Sequence, residues 1–215
     1  MALFVLDKEI VFPPVHLAEP DGLLAVGGDL SVNRLLLAYQ SGIFPWYEGD
    51  HILWWCPDPR FILTPGHLKV SKSMRQLLNR KAFRFTINQA FEAVINSCKS
   101  IERRGQNGTW ITESMKAAYI RLHKLGYAHS AEVWHNNELV GGLYGVRLGN
   151  VFFGESMFSK MSNASKFAFI CFVQELQADG VELIDCQVYT EHLESLGARM
   201  IPRTEFIQRL QFLIS

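Results

Sequence analysis

Six of the eight prolines in this chain fall within its first sixty residues: Pro13, Pro14, Pro20, Pro45, Pro57 and Pro59. The same stretch carries Gly22, Gly27, Gly28, Gly42 and Gly49. Proline fixes φ and removes a backbone donor, and glycine punctuates regular structure, so long helices and strands cannot dominate here. Only residues 32–41 read as a short helix, with Ser31 as N-cap and Gly42 as its stop. The expectation is a small, irregular N-terminal unit.

From about residue 70 the pattern becomes periodic. Helices are expected over 71–80, 88–100, 112–125, 164–178 and 204–213, with Thr112 capping the third and Gly126 ending it. A short one is expected over 190–196. Residues 101–109 read as a loop. Strands are expected over 128–134, 138–148 and 151–156, joined by turns at 135–137 and 149–150, with further strands at 181–188 and 198–201. Helices, a three-stranded meander, then alternating helix and strand make an α+β layered domain.

The chain has formal net charge +0, so a nucleic-acid partner would have to be met by a local patch. One exists: residues 60–91 contain no Asp or Glu but carry Arg60, Lys69, Lys72, Arg75, Arg80, Lys81 and Arg84. Lys72 and Arg75 share a helix face and could contact successive phosphates. A solvated basic helix without a partner is the plainer explanation. No DNA-reading motif is present. Cys56, Cys98, Cys171 and Cys186 form no CxxC pair and read as buried, reduced thiols of a cytosolic protein. The histidines have no HExxH or other metal spacing, and there is no phosphate loop or GxGxxG. No apolar run is long enough to cross a bilayer, and the N-terminus does not look like a secretory signal.

What remains is a polar cluster in apolar surroundings. Asp185 and Gln187 are two apart in VELIDCQVY, so a regular strand would project them from one face while Ile184 and Cys186 point the other way. Glu155 lies in VFFGESMF, and the three converge if the two strands are neighbours. The cluster reads equally well as a hydrogen-bond network closing the sheet. Leu143, Phe152, Phe169, Phe172 and Ile184 are core residues or the walls of an apolar pocket. Trp46 and Trp110 sit in loops, where an indole can stack on a base.

Read together, LLAVGGDL (23–30), GIFPW (42–46), LWWCPDPR (53–60), GTWIT (108–112), GYAHS (126–130), ELVGGLYGV (138–146), FGESMFSKMSNASK (153–166), LIDCQV (183–188) and SLGARMIPR (195–203) resemble bacterial leucyl/phenylalanyl-tRNA–protein transferases over nearly the whole chain. The resemblance implies a small N-terminal domain over 1–62 and a GNAT-like acyltransferase domain over 63–215, with a mixed, mainly antiparallel sheet flanked by helices. It implies transfer of leucine or phenylalanine, and less readily methionine, from leucyl-tRNA or phenylalanyl-tRNA to proteins with N-terminal Arg or Lys. The product is read by the N-degron pathway in the cytoplasm, and no cofactor, metal, membrane or DNA is implied. By motif, Asp185 and Gln187 match the proposed catalytic pair and Glu155 an acidic partner near the acceptor. Trp46 and Trp110 match residues holding the terminal adenosine, with Tyr119 near the same site. Phe152, Phe172 and Ile184 match the amino-acid pocket, and Leu143 and Phe169 stand where other large apolar residues occur. Lys69, Lys72, Arg75, Arg80, Lys81 and Arg84 match the region expected to grip the tRNA acceptor arm. Two rival readings are an acetyl-CoA enzyme, for which SKMSNASK lacks the expected glycines, and a non-catalytic RNA-binding module.

Overall fold

The change from proline-rich to periodic sequence corresponds to a change of sheet in the computed structural model, which describes residues 3–100 and 111–214. The N-terminal segment is less irregular than its composition suggests. It forms a four-stranded sheet, in the order β1-β2-β4-β3, from β1 (Phe4–Leu6), β2 (Leu23–Gly27), β3 (Phe44–Pro45) and β4 (Leu53–Trp55). The strands are short and closely followed by proline, glycine or a turn, which is why no alternating pattern is visible. Helix α1 (Val32–Gln40) is capped as expected: the Ser31 hydroxyl accepts from the Arg34 N–H. Gly42 follows at φ +74°, and a Cβ there would lie 2.5 Å from Ile207 Cδ1, so this turn also lets the C-terminal helix approach.

The larger sheet has seven strands in the order β11-β5-β10-β9-β8-β7-β6. They are β5 (Arg60–Leu63), β6 (Arg84–Ile87), β7 (Ala128–His135), β8 (Glu138–Leu148), β9 (Val151–Ser159), β10 (Leu183–Gln187) and β11 (Arg199–Ile201). Only β9 and β10 pair in parallel; the other neighbours are antiparallel. The expected meander is β7-β8-β9, and its first turn places Asn136 and Asn137 at φ +49° and +64°. Strand β5 arrives from the proline-rich segment and inserts between β10 and β11, so the boundary expected at 62/63 falls inside a strand.

The helices are α2 (Lys72–Asn79), α3 (Phe91–Ser100), α4 (Glu113–Lys124), α5 (Ala164–Ala178), α6 (Glu191–Glu194) and α7 (Arg203–Leu213). Helix α3 starts later than the sequence pattern suggests, because residues 84–87 form edge strand β6 and Asn88 turns at φ +58°. Strand alternation divides the core between the two faces. Val151, Phe153 and Tyr144 pack with α1, α3, α4 and α7, whereas Leu143, Phe152 and Ile184 pack with α5. No helix among the described residues is long and apolar enough to cross a membrane.

Candidate active site

β9 and β10 pair only as far as Phe153 opposite Asp185, yet β9 runs on to Ser159. Beyond that point the strands separate, and a cleft of about 670 Å³ opens between them. Trp46, Leu143, Phe152, Glu155, Phe169, Ile184, Asp185 and Gln187 all line it. The opening joins the two faces of the sheet. Apolar side chains from the α5 face form one end, and polar groups from the other face stand at the opposite end.

Two irregularities in strand pairing bring the polar groups together. On β9, Gly154 and Ser156 oppose Gly145 and Tyr144, leaving Glu155 as an inserted residue. On β10, Asp185 and Gln187 oppose Ile62 and Phe61, leaving Cys186 as the extra one. A bulge re-aims side chains locally. Gln187 takes φ +65°, a conformation that non-glycine residues seldom adopt. Its N–H donates to Asp185 Oδ1 at 3.0 Å, which holds the turn. Its side-chain Nε2 donates to Glu155 Oε1 at 3.0 Å. The amide nitrogen faces Glu155, and Gln187 lines the cleft.

This arrangement corrects the expectation of Asp185 and Gln187 projecting in parallel from a regular strand. Asp185 instead turns into the core, where Arg60 Nε and Nη2 donate to its two oxygens at 2.8 and 2.6 Å. The guanidinium lies over the rings of Phe44 and Phe206, at 4.7 and 4.6 Å from their centroids. Asp185 therefore orients Gln187 through its backbone, not through its amide.

Glu155 is the centre of the cluster. Tyr39 Oη donates to its Oε1 at 2.8 Å and Tyr119 Oη to its Oε2 at 2.7 Å. The two tyrosine oxygens are 2.5 Å apart. Burial pushes the Glu155 carboxyl up to about 7, although the hydrogen bonds from Tyr119 and Tyr39 pull the other way. Burial, followed by the charge of Glu155, holds both tyrosines well above their ordinary range.

The apolar end is built on β8, β9, β10 and α5. The Phe152 ring packs edge-on against Phe172, centroids 5.0 Å apart. Phe172 supports the wall from behind and does not itself line the cleft. Gly145 permits this arrangement, since a Cβ there would lie 2.5 Å from the Phe152 ring. Trp46 is half-buried at the polar end, with its ring 5.8 Å from that of Trp55. Tyr119 lies beneath Glu155 rather than in the cleft wall, and Trp110 lies outside the described residues. Lys69, Lys72, Arg75, Arg80, Lys81 and Arg84 are all exposed, and none lines the cleft. Two residues that the sequence does not single out for the site hold its centre together: Arg60 and Tyr39. In the sequence Arg60 is one basic residue among several, and Tyr39 sits on a helix where an aromatic reads as core.

Comparison with known proteins adds to this geometry. Residues 62–211 match the family model of leucyl/phenylalanyl-tRNA protein transferase, and residues 28–58 match the model of its N-terminal domain. A leucyl/phenylalanyl-tRNA–protein transferase from Syntrophus aciditrophicus is 60% identical over 96% of this chain and 87% of its own. One from Flavobacterium johnsoniae is 56% identical over 97% and 99%. Among solved structures, a GCN5-related N-acetyltransferase from Kribbella flavida superposes with a TM-score of 0.39 at 9% identity, covering 78% of this chain and 59% of that one.

Proposed function

Because the chain belongs to the leucyl/phenylalanyl-tRNA–protein transferase family, we propose that the cleft between β9 and β10 is where an aminoacyl ester meets a protein amino terminus. The enzyme transfers leucine or phenylalanine from aminoacyl-tRNA to protein N-termini. The observation that carries the assignment of this cleft is the Gln187–Glu155 contact, set where an apolar pocket opens.

The chemistry asks little of the protein beyond placement. An aminoacyl ester is already activated, and an α-amine with a pKa of roughly 7.7–8.0 is partly neutral at physiological pH. Holding the two together supplies much of the rate. The leucyl or phenylalanyl side chain enters among Leu143, Phe152, Phe169 and Ile184, with Phe172 behind. Such a pocket separates similar apolar side chains only by about 1–3 kcal/mol per methylene, which fits acceptance of leucine, phenylalanine and, less readily, methionine. The Gln187 amide oxygen accepts a hydrogen bond from the attacking amine. A neutral amide is a poor base, so it orients the nucleophile and does not take its proton. Trp46, together with Trp110, stacks on the terminal adenosine.

In this reading the acceptor begins with Arg or Lys, and the carboxylate of Glu155 attracts its positive N-terminal residue or its ammonium. The new N-terminal residue serves as a degradation signal in the cytoplasm. The small N-terminal domain presents Trp46, and the catalytic domain supplies the cleft. A transfer assay tests the assignment: leucyl-tRNA is mixed with peptides beginning Arg, Lys or Ala. Transfer to the first two and not the third is expected, and failure on all three would sink it.

A further inference from the structure

Tyr39 Oη, Tyr119 Oη and the Glu155 carboxylate form a closed triangle of contacts at 2.5, 2.7 and 2.8 Å. A hydrogen bond between two oxygens needs one proton, and an O···O approach without one sets lone pair against lone pair. The two hydroxyls bring two protons to three contacts, so filling all three at once takes a third proton, on Glu155. One assignment then satisfies every contact. With Glu155 protonated, its Oε2 donates to Tyr119, reversing the donation that the ionised carboxylate receives there, while Tyr119 donates to Tyr39 and Tyr39 to Glu155 Oε1. Gln187 Nε2 gives Oε1 a second hydrogen bond. Loss of the proton leaves both hydroxyls donating to the carboxylate and removes only the Tyr39–Tyr119 bond. The same atoms thus accommodate either state with little movement.

The groups facing Glu155 come from every element packed on it. They are Tyr39 on α1, Tyr119 on α4, Tyr144 on β8 with its ring 5.5 Å from that of Tyr119, and Asp185 and Gln187 on β10. Arg60 on β5 binds both Asp185 oxygens and balances that charge. The position of the Glu155 pKa, about 7, agrees with a group that exchanges its proton near neutrality.

We propose that Tyr39, Tyr119 and Glu155 form a proton-accepting ring in which the Glu155 carboxylate takes the proton from the acceptor's α-ammonium. This rests on the transferase reading of the cleft. An N–H bond of the ammonium breaks and an O–H bond forms on Glu155. The nitrogen lone pair attacks the ester carbonyl carbon, the C–N bond forms, and the bond from that carbon to the ribose oxygen breaks. A second amine proton passes to the departing ribose oxygen, giving a free tRNA hydroxyl. The peptide bond is complete, and neutral Glu155 returns its proton to solvent. Tyr39 and Tyr119 are positioning residues, since they act through the carboxyl and not on the substrate.

Two measurements test the ring. The first is single-turnover transfer to an Arg-terminated peptide as a function of pH. Glu155→Gln should lose on the order of a hundredfold at neutral pH. That deficit should narrow toward about pH 9, where the amine arrives already neutral. The hydroxyls of Tyr39 and Tyr119 hold the Glu155 pKa down, so Tyr39→Phe and Tyr119→Phe should each move the acid limb of the profile to higher pH. The second needs no transfer. The infrared difference between wild type and Glu155→Gln should show a carboxylic acid band that fades as pH rises through about 7. It should fade at higher pH in Tyr39→Phe. A deficit equal at every pH, or a Glu155 ionised throughout, overturns the proposal. If the wild type transfers nothing, the function reading fails, and the infrared titration still decides the ring.

Discussion

Asp185 has no accessible surface, and both its oxygens are bound by a guanidinium that is itself buried between two aromatic rings. Removing one partner of such a pair leaves an uncompensated charge in the core. Asp185→Ala should therefore lower stability by about 3–5 kcal/mol in urea denaturation. Arg60→Met combined with Asp185→Leu should recover much of that loss. Transfer should stay impaired in the double variant, because the Gln187 N–H is deprived of the acceptor that holds its left-handed turn. Full activity in the double variant would mean that Asp185 does nothing for Gln187. Glu155 behaves in the opposite sense. Its pKa is raised by folding from 4.5 to about 7, so the folded state prefers the protonated form. Its contribution to stability is fully present below pH 4.5 and is lost as pH rises through about 7. The melting temperature of wild type minus that of Glu155→Gln should fall across that window, and a flat difference would contradict the raised pKa. Glu155, Asp185 and Gln187 were legible in the sequence because polar residues in apolar strands need partners. Their partners were not. Arg60 lies 125 positions from Asp185, and Tyr39 lies 116 from Glu155. Nothing in local spacing encodes such contacts.

The helices were legible wherever a cap announced them. Ser31, Ser71 and Thr112 each accept from the N–H three residues on. Two of these helices, α1 and α4, carry Tyr39 and Tyr119, so the capping residues also set the register of the ring. Helix α3 is capped differently. The buried carboxylate of Glu132, on β7, accepts from the N–H groups of Gln89 and Ala90 at 3.4 and 3.3 Å. It also accepts from the hydroxyls of Thr86 and Ser130 at 2.6 and 2.5 Å. Such a cap comes from another element, which is why the helix start could not be placed from its own residues. Glu132→Ala strands several buried donors at once and should cost on the order of 3 kcal/mol, read as a shift in the urea midpoint with unchanged slope. A loss under about 1 kcal/mol would show that the donors find other partners. The strand bulges at Glu155 and Cys186 were equally invisible. A one-residue insertion reverses the phase of the alternation, so Val151 and Phe153 share a face with Phe158 while Phe152 shares one with Met157; in a run apolar on both faces that reversal leaves no mark, yet it aims Glu155 and Gln187 at each other. The insertion of β5 between β10 and β11 escaped for a related reason: pairing partners in a sheet are chosen by burial on both faces, not by order along the chain.

At the scale of the whole molecule, 21 basic and 21 acidic residues balance, so no long-range field draws a polyanion to the surface at large. The exposed strip from Lys69 to Arg84 is the exception, and it lies close to the cleft. The Lys69 N–H bonds to Leu196 O at 2.9 Å, three residues beyond Leu193 in the cleft wall. Helix α2 packs on α5, whose Ser165 and Phe169 also line the cleft. An acceptor arm lying along α2 would therefore reach the cleft by its apolar end. Lysine and arginine side chains that neutralise phosphates bind by releasing counterions, so their number is read from the salt dependence of affinity. Lys72→Ala combined with Arg75→Ala should weaken tRNA binding at low salt. It should reduce the slope of log affinity against log salt by about one for each phosphate no longer neutralised. Because both side chains are exposed, stability should be unchanged. If the strip only delivers tRNA, KM for aminoacyl-tRNA rises while kcat holds, equally for the leucyl and phenylalanyl forms. An unchanged salt slope would make the strip a solvated basic face, and the grip on tRNA would have to come from another part of the surface.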